Sequence, residues 1–481
     1  MTDLHTSRRT KIVATIGPAS DSDQALDALV AAGVDVCRIG LAHGEVEVHL
    51  ERIARIRAAF ARGGRPVAIL ADLPGPKVRA AEFTEGGVFL AEGDEVAFVA
   101  GTGGSTAERI EVEYEPIADD LEVGDRIALG DGLISMEVTQ RLPGEIRAVV
   151  VAGGRTQGRP GVHLGARLRL PTPTPHDLEL VLALAPAAPE IIAISFVRSA
   201  ADVLAVRNAP GLGQALLVAK IETRGAVEDL PSILDVADGV MVARGDLGID
   251  CPVEDVPHLQ KRIIRTCVEW GVPVITATQM LESMVHSALP TRAEASDVAN
   301  AVLDGTDAVM LSGETAIGHD PTEAVRTMSR ILVAAEAHAD YVAWGGRLGK
   351  IQRLAQMPQG LAVTGAVTAA AWQVAMDLGA AAIICCTRSG RTARAMARFR
   401  PPAPLYAFSP DEVVRRQLAL SWGVRTLPVE HYDSVDDMVW HAVERTVQAG
   451  AASPGDVVVV VAGSPESTDS ASDVLRVVRV G

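Results

Sequence analysis

The sequence predicts a (β/α)8 barrel interrupted by a small β domain and followed by a separate α/β domain. Three observations lead there. Eight short apolar runs with β-branched residues alternate with helical segments, one interval between runs is long and not helical, and a second strand–helix alternation follows the eighth run. The runs are KIVATIG (11–17), VCRIG (36–40), VAILADL (67–73), IIAISFV (191–197), LLVAKIE (216–222), GVMVARGDL (239–247), PVITATQM (273–280) and AVMLSGET (308–315). Near-continuous apolar strands need cover on both faces, which a closed parallel barrel of the TIM type with an outer ring of helices provides.

The long interval separates the third and fourth runs. Residues 75–170 are rich in Val, Gly and Glu, with turn signals in AEGDEV, LEVGDRI and LGDGLI, and read as a small β barrel able to act as a lid. After the eighth run, helical segments lead through LAQMPQGLAVTG to strands in AAIICCT, PLYAFSP, DVVVVVAG and LRVVRV with helices between. The expected division is therefore a barrel of 1–74 and 171–345, an inserted lid of 75–170 and a C-terminal α/β domain of 346–481.

Composition narrows the function classes. The 481 residues are 22% charged and 48% hydrophobic, enough for two or three cores, and the formal net charge is -17. That charge argues against nucleic acid and against anionic membrane, both of which call for a basic face. The N-terminus MTDLHTSRRTK has no apolar signal core and no run is long enough to span a bilayer, so a cytoplasmic protein is expected. Five cysteines, at 37, 251, 267, 385 and 386, have no CxxC spacing and read as reduced, buried thiols.

The chemistry gathers at the C-terminal ends of the runs, the face where such barrels carry their sites: Arg38, Asp72, Ser195, Lys220 with Glu222, Asp246, Thr278, and Ser312 with Glu314. Lys220 and Glu222 are two apart and so share one face of a strand, and the neighbouring strand ends in Arg244-Gly245-Asp246. Glu222 and Asp246 can then reach one cation. Two carboxylates that leave room for water and substrate oxygens suit Mg²⁺, or Mn²⁺ in its place. An ion pair between Lys220 and Glu222 that only fills the barrel is the bland alternative. Arg38, Lys77 and Arg79 add fixed positive charge, as a phosphate-handling site requires. Ser312, Glu314 and Arg244 read as polar closure of the strand ends.

RRTKIVATIGPAS (8–20), AKIETRGAV (219–227), MVARGDLGID (241–250), TATQMLESM (276–284) and PTRAEASDVANAVLDGTDAVMLSGETA (290–316) resemble the pyruvate kinase family, from Arg8 to the C-terminus and in the family's order. The resemblance implies phosphoryl transfer from phosphoenolpyruvate to ADP, giving pyruvate and ATP with Mg²⁺, in a cytoplasmic homotetramer. Lys220 matches the lysine at the transferring phosphoryl group and the enolate. Glu222 and Asp246 match the metal ligands, and the Ala243–Gly245 backbone matches the receiver of the substrate carboxylate. Arg38 and Arg79 match phosphate-contacting arginines, Thr278 the threonine near the enolate carbon, and Ser195 a position near the substrate. Arg38, His43 and Arg79 are the implied nucleotide contacts. Two other functions stay open on sequence: a regulatory paralogue that has lost catalysis, and a Mg²⁺-dependent lyase acting on pyruvate or oxaloacetate.

This chain departs from the K⁺-using members of the family. They hold K⁺ with an Asn, a Ser, an Asp and a Thr, where this chain has Gly40, Ala42, Asp72 and Leu73. Another branch has Lys in place of a Glu, and Lys77 in DLPGPKVR matches it, so Lys77 is expected to replace K⁺ and K⁺ is not expected to be required; a solvated surface lysine is the alternative. In the last domain, Thr387, Arg388, Ser389, Gly390, Arg391 and Thr392 follow a strand, open a helix and resemble the family's effector phosphate loop; a plain helix cap is the alternative. The segment 462–472 has no Trp or basic residue for a second phosphate, so a singly phosphorylated effector is expected.

Overall fold

The computed structural model describes residues 8–130, 134–164, 170–351, 359–430, 434–463 and 471–481. Each of the eight runs contains one barrel strand: Lys11–Thr15, Val36–Gly40, Ala68–Asp72, Ile191–Ile194, Leu216–Ile221, Gly239–Ala243, Val274–Ala277 and Ala308–Leu311. They pair in parallel and in sequence order, and the barrel closes where Lys11–Ala14 pair with Ala308–Leu311. Strand residues alternate between two apolar environments. Val13, Leu70, Val218 and Met241 fill the interior, while Ile12, Ile69, Leu217 and Val240 pack outward on the helices. Burial on both faces is why the runs show no polar alternation.

Several runs reach past their strands. The ends of GVMVARGDL and AVMLSGET turn into short helices, Arg244–Asp250 and Gly313–Ala316. Once the chain leaves the ladder, its polar residues no longer need to be strand, and the rim becomes a ring of loops and helix starts.

The inserted domain has its own core around Phe83, Phe98, Ile110, Met136 and Ile146. Its six-stranded sheet runs in the order Val162–His163, Arg126–Leu129, Ile134–Leu142, Glu145–Ala152, Glu95–Ala100 and Arg109–Val112. The segment 78–81 binds both edges of this sheet: Val162 N donates to Val78 O at 2.9 Å and Ala81 N to Glu111 O at 2.8 Å. The lid is thereby rolled toward a barrel, which removes open edges.

The C-terminal sheet has the order Val424–Pro428, Leu405–Ser409, Ala382–Cys386, Val457–Ala462 and Val474–Arg479, the last strand antiparallel. Val424–Pro428 was not among the expected strands. Its composition, VRTLP, is mixed and ends in Pro, as an edge strand tolerates, so the sequence carries little strand signal there. Leu420 of this domain joins the cluster inside the barrel. Of the expected absence of a second phosphate contact at 462–472, residues 464–470 lie outside the described residues.

Candidate active site

The rim of the barrel and the near face of the lid enclose a cavity of about 250 Å³. Arg38, Asp72, Ser195, Lys220, Glu222 and Asp246 line it from the barrel, and Lys77, Gly161 and His163 from the lid side. Gly40, Ala42 and Leu73 are also on its wall.

A buried network holds the charges in place. Arg38 Nε donates to Asp72 Oδ2 at 2.7 Å and Arg38 Nη1 to Thr15 Oγ1 at 3.0 Å. Lys220 Nζ sits 2.9 Å from Glu222 Oε1 and 3.3 Å from Asp72 Oδ1, and donates to Ser195 Oγ at 2.6 Å. Ser195 Oγ in turn donates to Leu73 O at 2.6 Å. Lys220 is thus gripped from three sides, with little freedom left to lose when it meets a substrate.

The electrostatics follow from this packing. Burial alone would lower the Lys220 ammonium, but Asp72 and Glu222 outweigh it and raise the pKa above its ordinary value. Burial would raise Asp72, yet Lys220 and Arg38 hold its carboxyl below the usual range. Glu222 goes the other way: burial pushes it up to about 7 against the pull of Lys220, and nearby Asp246 adds to the rise. The charged form of the lysine is therefore favoured, while burial makes a charged Glu222 costly, a cost that added positive charge would lower.

Glu222 and Asp246 fit a divalent cation. Glu222 Oε1 is buried and accepts no hydrogen bond, although Lys220 Nζ is close, and Glu222 Oε2 accepts the amide of Phe196 at 2.5 Å. No cluster of three or more metal-ligating side chains exists among the described residues. Two protein carboxylates opening on a cavity suit a cation that keeps water and substrate oxygens in its shell.

Gly245 and Thr278 follow the sixth and seventh strands and are not among the residues that line the cavity. Gly245 N donates to Thr278 Oγ1 at 2.9 Å, and Thr278 Oγ1 donates to Ala277 O at 2.7 Å. Thr278 has φ +66°, a left-handed conformation that is costly for a β-branched residue. Arg244 keeps it there through bonds to Thr278 O at 2.6 Å and Asp297 Oδ2 at 2.6 Å. Glu314 accepts Leu281 N at 2.9 Å and Ser312 N at 2.7 Å. Arg244, Ser312 and Glu314 thus close the strand ends, as read from the sequence.

Arg79 and His43 are not among the residues that line the cavity. The His43 imidazole is held below its ordinary pKa by burial and then by Arg79 and Lys77. Arg79 Nη1 rests at 3.4 Å from Arg159 O. Lys77 is exposed toward the cavity with its stem against Gly161.

In the C-terminal domain, Gly390 takes φ +75° between the strand Ala382–Cys386 and the helix Arg391–Ala397. Arg388, Ser389 and Arg391 are exposed. Thr387 and Thr392 are buried, and the Thr392 hydroxyl bonds Ser472 Oγ at 2.6 Å.

Sequence reasoning missed Thr15, Phe196 and His163. Thr15 orients Arg38, and Phe196, at φ +55°, gives its amide to Glu222. His163 Nδ1 comes from the lid to 3.8 Å from Asp246 Oδ1. A backbone amide leaves no mark in sequence, and a lone His in a lid gives no hint of the carboxylate it will face.

A parallel barrel with a half-buried lysine, two open carboxylates and an arginine at its C-terminal rim, under an inserted β lid, defines a barrel transferase built to neutralise phosphate charge. Residues 7–325 match the family described as pyruvate kinase, barrel domain, and residues 365–478 match pyruvate kinase, alpha/beta domain. The chain belongs to the pyruvate kinase family. Curated pyruvate kinases similar to it include that of Geobacillus stearothermophilus, 43% identical over 98% of this chain and 80% of the relative. Those of Mycobacterium intracellulare and Mycobacterium tuberculosis are 40% and 39% identical over 99% of both chains.

Proposed function

We infer that the rim transfers the phosphoryl group of phosphoenolpyruvate to ADP, giving pyruvate and ATP, the step that ends glycolysis. The observation that carries this reading is the grip on Lys220 by Ser195, Asp72 and Glu222 beside an open pair of carboxylates. Phosphoryl transfer needs positioning and charge neutralisation more than covalent chemistry, and this cluster supplies both.

Lys220 meets the transferring phosphoryl oxygens and then holds the enolate oxygen, a preorganised cation aimed at developing charge. Glu222 and Asp246 would hold Mg²⁺ or Mn²⁺, which neutralises phosphoryl charge when bound. Arg38, braced by Asp72 and Thr15, presents its guanidinium to phosphate, and Arg79 and His43 meet the nucleotide. The amides at Ala243–Gly245 receive the substrate carboxylate. When that carboxylate takes the Gly245 N–H, the Thr278 oxygen loses that donor, and Thr278 stands on the route by which the enolate carbon gains its proton. Lys77 supplies the charge that K⁺ brings elsewhere in the family, and K⁺ is not required.

The remaining parts of the reading are a division into 1–74 with 171–345, 75–170 and 346–481, a homotetramer in the cytoplasm, and a singly phosphorylated effector on residues 387–392. No helix among the described residues is long and apolar enough to cross a membrane. A catalytically silent paralogue would have no physical need to keep a buried charge cluster, and a lyase would have none for a phosphate-binding Arg38 under a lid. Coupled detection of pyruvate from phosphoenolpyruvate and ADP, with and without Mg²⁺, tests the reading. A folded protein without turnover overturns it.

A further inference from the structure

The chain crosses between barrel and lid twice, at residues 73–76 going out and at 170–174 coming back, and one carboxylate holds both crossings. Asp177 is buried on the first turn of the helix Pro175–Leu184. Its Oδ1 accepts Gly75 N at 3.1 Å, and its Oδ2 accepts Thr174 N and Thr174 Oγ1, each at 2.8 Å. A capping box needs only the bond from Thr174 N to Asp177 Oδ2 and its reciprocal from Asp177 N to Thr174 Oγ1. The bond to Gly75, 102 residues away in the chain, has no part in capping.

Gly75 in turn rests on the active site. It has φ +67°, and a Cβ added there would fall 2.8 Å from Ser195 Cβ and 3.0 Å from Phe196 Cδ2. Ser195 holds Lys220 Nζ and Leu73 O, and Phe196 N holds Glu222. The outgoing crossing is thus pressed between Asp177 and the two residues that fix the catalytic lysine and a carboxylate of the metal pair.

We propose that Asp177 is the hinge clamp of the lid, a positioning residue that sets the lid, with Lys77 and Arg79, in register with Lys220. It acts through Gly75 and touches no reactant. The proposal rests on the lid being the nucleotide-side cover in the reading above.

The test compares wild type with Asp177→Ala, Asp177→Asn and Gly75→Ala. Asp177→Ala is expected to lose about a hundredfold in kcat/KM for ADP, since misplacement by about an ångström costs that much. Calorimetric affinity of the barrel for Mn²⁺ should be unchanged, and amide exchange should quicken in the lid but not in the barrel strands. Asp177→Asn keeps one acceptor oxygen for two crossings and should fall between. Gly75→Ala should lower kcat by driving Ser195 from Lys220. If Asp177→Ala does not fold, Asp177→Asn and Gly75→Ala carry the test. A lower melting temperature with unchanged kinetics and unchanged lid exchange would mean that Asp177 is a cap only. If the wild type has no turnover, the functional reading fails, while lid exchange in Asp177→Asn still decides the clamp.

Discussion

Lys220 Nζ donates to Ser195 Oγ at 2.6 Å while lying 2.9 Å from Glu222 Oε1, so the ammonium is fixed by a neutral and a charged partner at once. Its side chain is half-buried and its charge is secured by the carboxylates around it. Replacing it with an uncharged chain of similar length removes the charge and spares most of the packing.

Lys220→Met is therefore expected to lower kcat by about a hundred- to a thousandfold, the usual cost of one preorganised electrostatic donor. Circular dichroism should stay that of the wild type. Turnover within tenfold of wild type would remove Lys220 from the reaction.

Chelation should abolish turnover, and added Mg²⁺ or Mn²⁺ should restore it. Glu222→Gln removes the buried anion but keeps the shape, and Mn²⁺ affinity measured by calorimetry should drop at least tenfold. Turnover that persists in excess chelator would count against Glu222 and Asp246 as metal ligands.

Lys77 makes the sharpest demand on ionic conditions. Activity with tetramethylammonium as the only monovalent cation should match activity in K⁺. Gly40, Ala42 and Leu73 line the cavity without side-chain oxygens, and a hard cation binds poorly without them. Lys77→Glu should be severely impaired and not rescued by K⁺. Strong activation of the wild type by K⁺ would refute the replacement.

A phosphorylated effector at residues 387–392 should shift the phosphoenolpyruvate saturation curve. By linkage, phosphoenolpyruvate must change the effector's affinity by the same factor. The double variant Ser389→Ala/Arg391→Ala should erase the shift and leave effector-free activity near wild type. If a sugar monophosphate and AMP both leave the curve in place, the loop is a helix cap.

The C-terminal domain is pinned under the barrel by Arg400, whose Nη1 lies 2.8 Å from Asp307 Oδ1 and whose Nη2 donates to Gly305 O at 2.6 Å. Both partners are buried, and Asp307 also accepts Val274 N at 3.0 Å. Arg400→Met leaves a buried carboxylate without its cation, which typically costs about 3–5 kcal/mol. Urea unfolding should show a loss of that size, and a change below about 1 kcal/mol would mean the pair is not what holds the interface.

The barrel was legible because its strands are apolar on both faces: runs such as LLVAKIE stand out against the helices, and each contains its strand. Val424–Pro428 was not, because an edge strand with one covered face needs no continuous apolar run. At the site, Lys220 and Glu222 could be paired from strand periodicity, since side chains two apart share a face, and Asp246 could be added because it stands at the end of the neighbouring run. Phe196 could not, because its contribution is a backbone amide that any residue would supply.

Hydrophobic periodicity and the charged residues at the run ends, both local properties of the chain, settled the barrel, its interruption and the identity of the rim's charges. Tertiary structure alone decided which charges meet. The Lys220 grip joins the third, fourth and fifth strands, His163 reaches Asp246 from another domain, and Asp177 takes Gly75 from across the inserted lid. Such contacts depend on the closure of the barrel and the return of the chain through the lid, and sequence spacing carries no record of distances closed by folding.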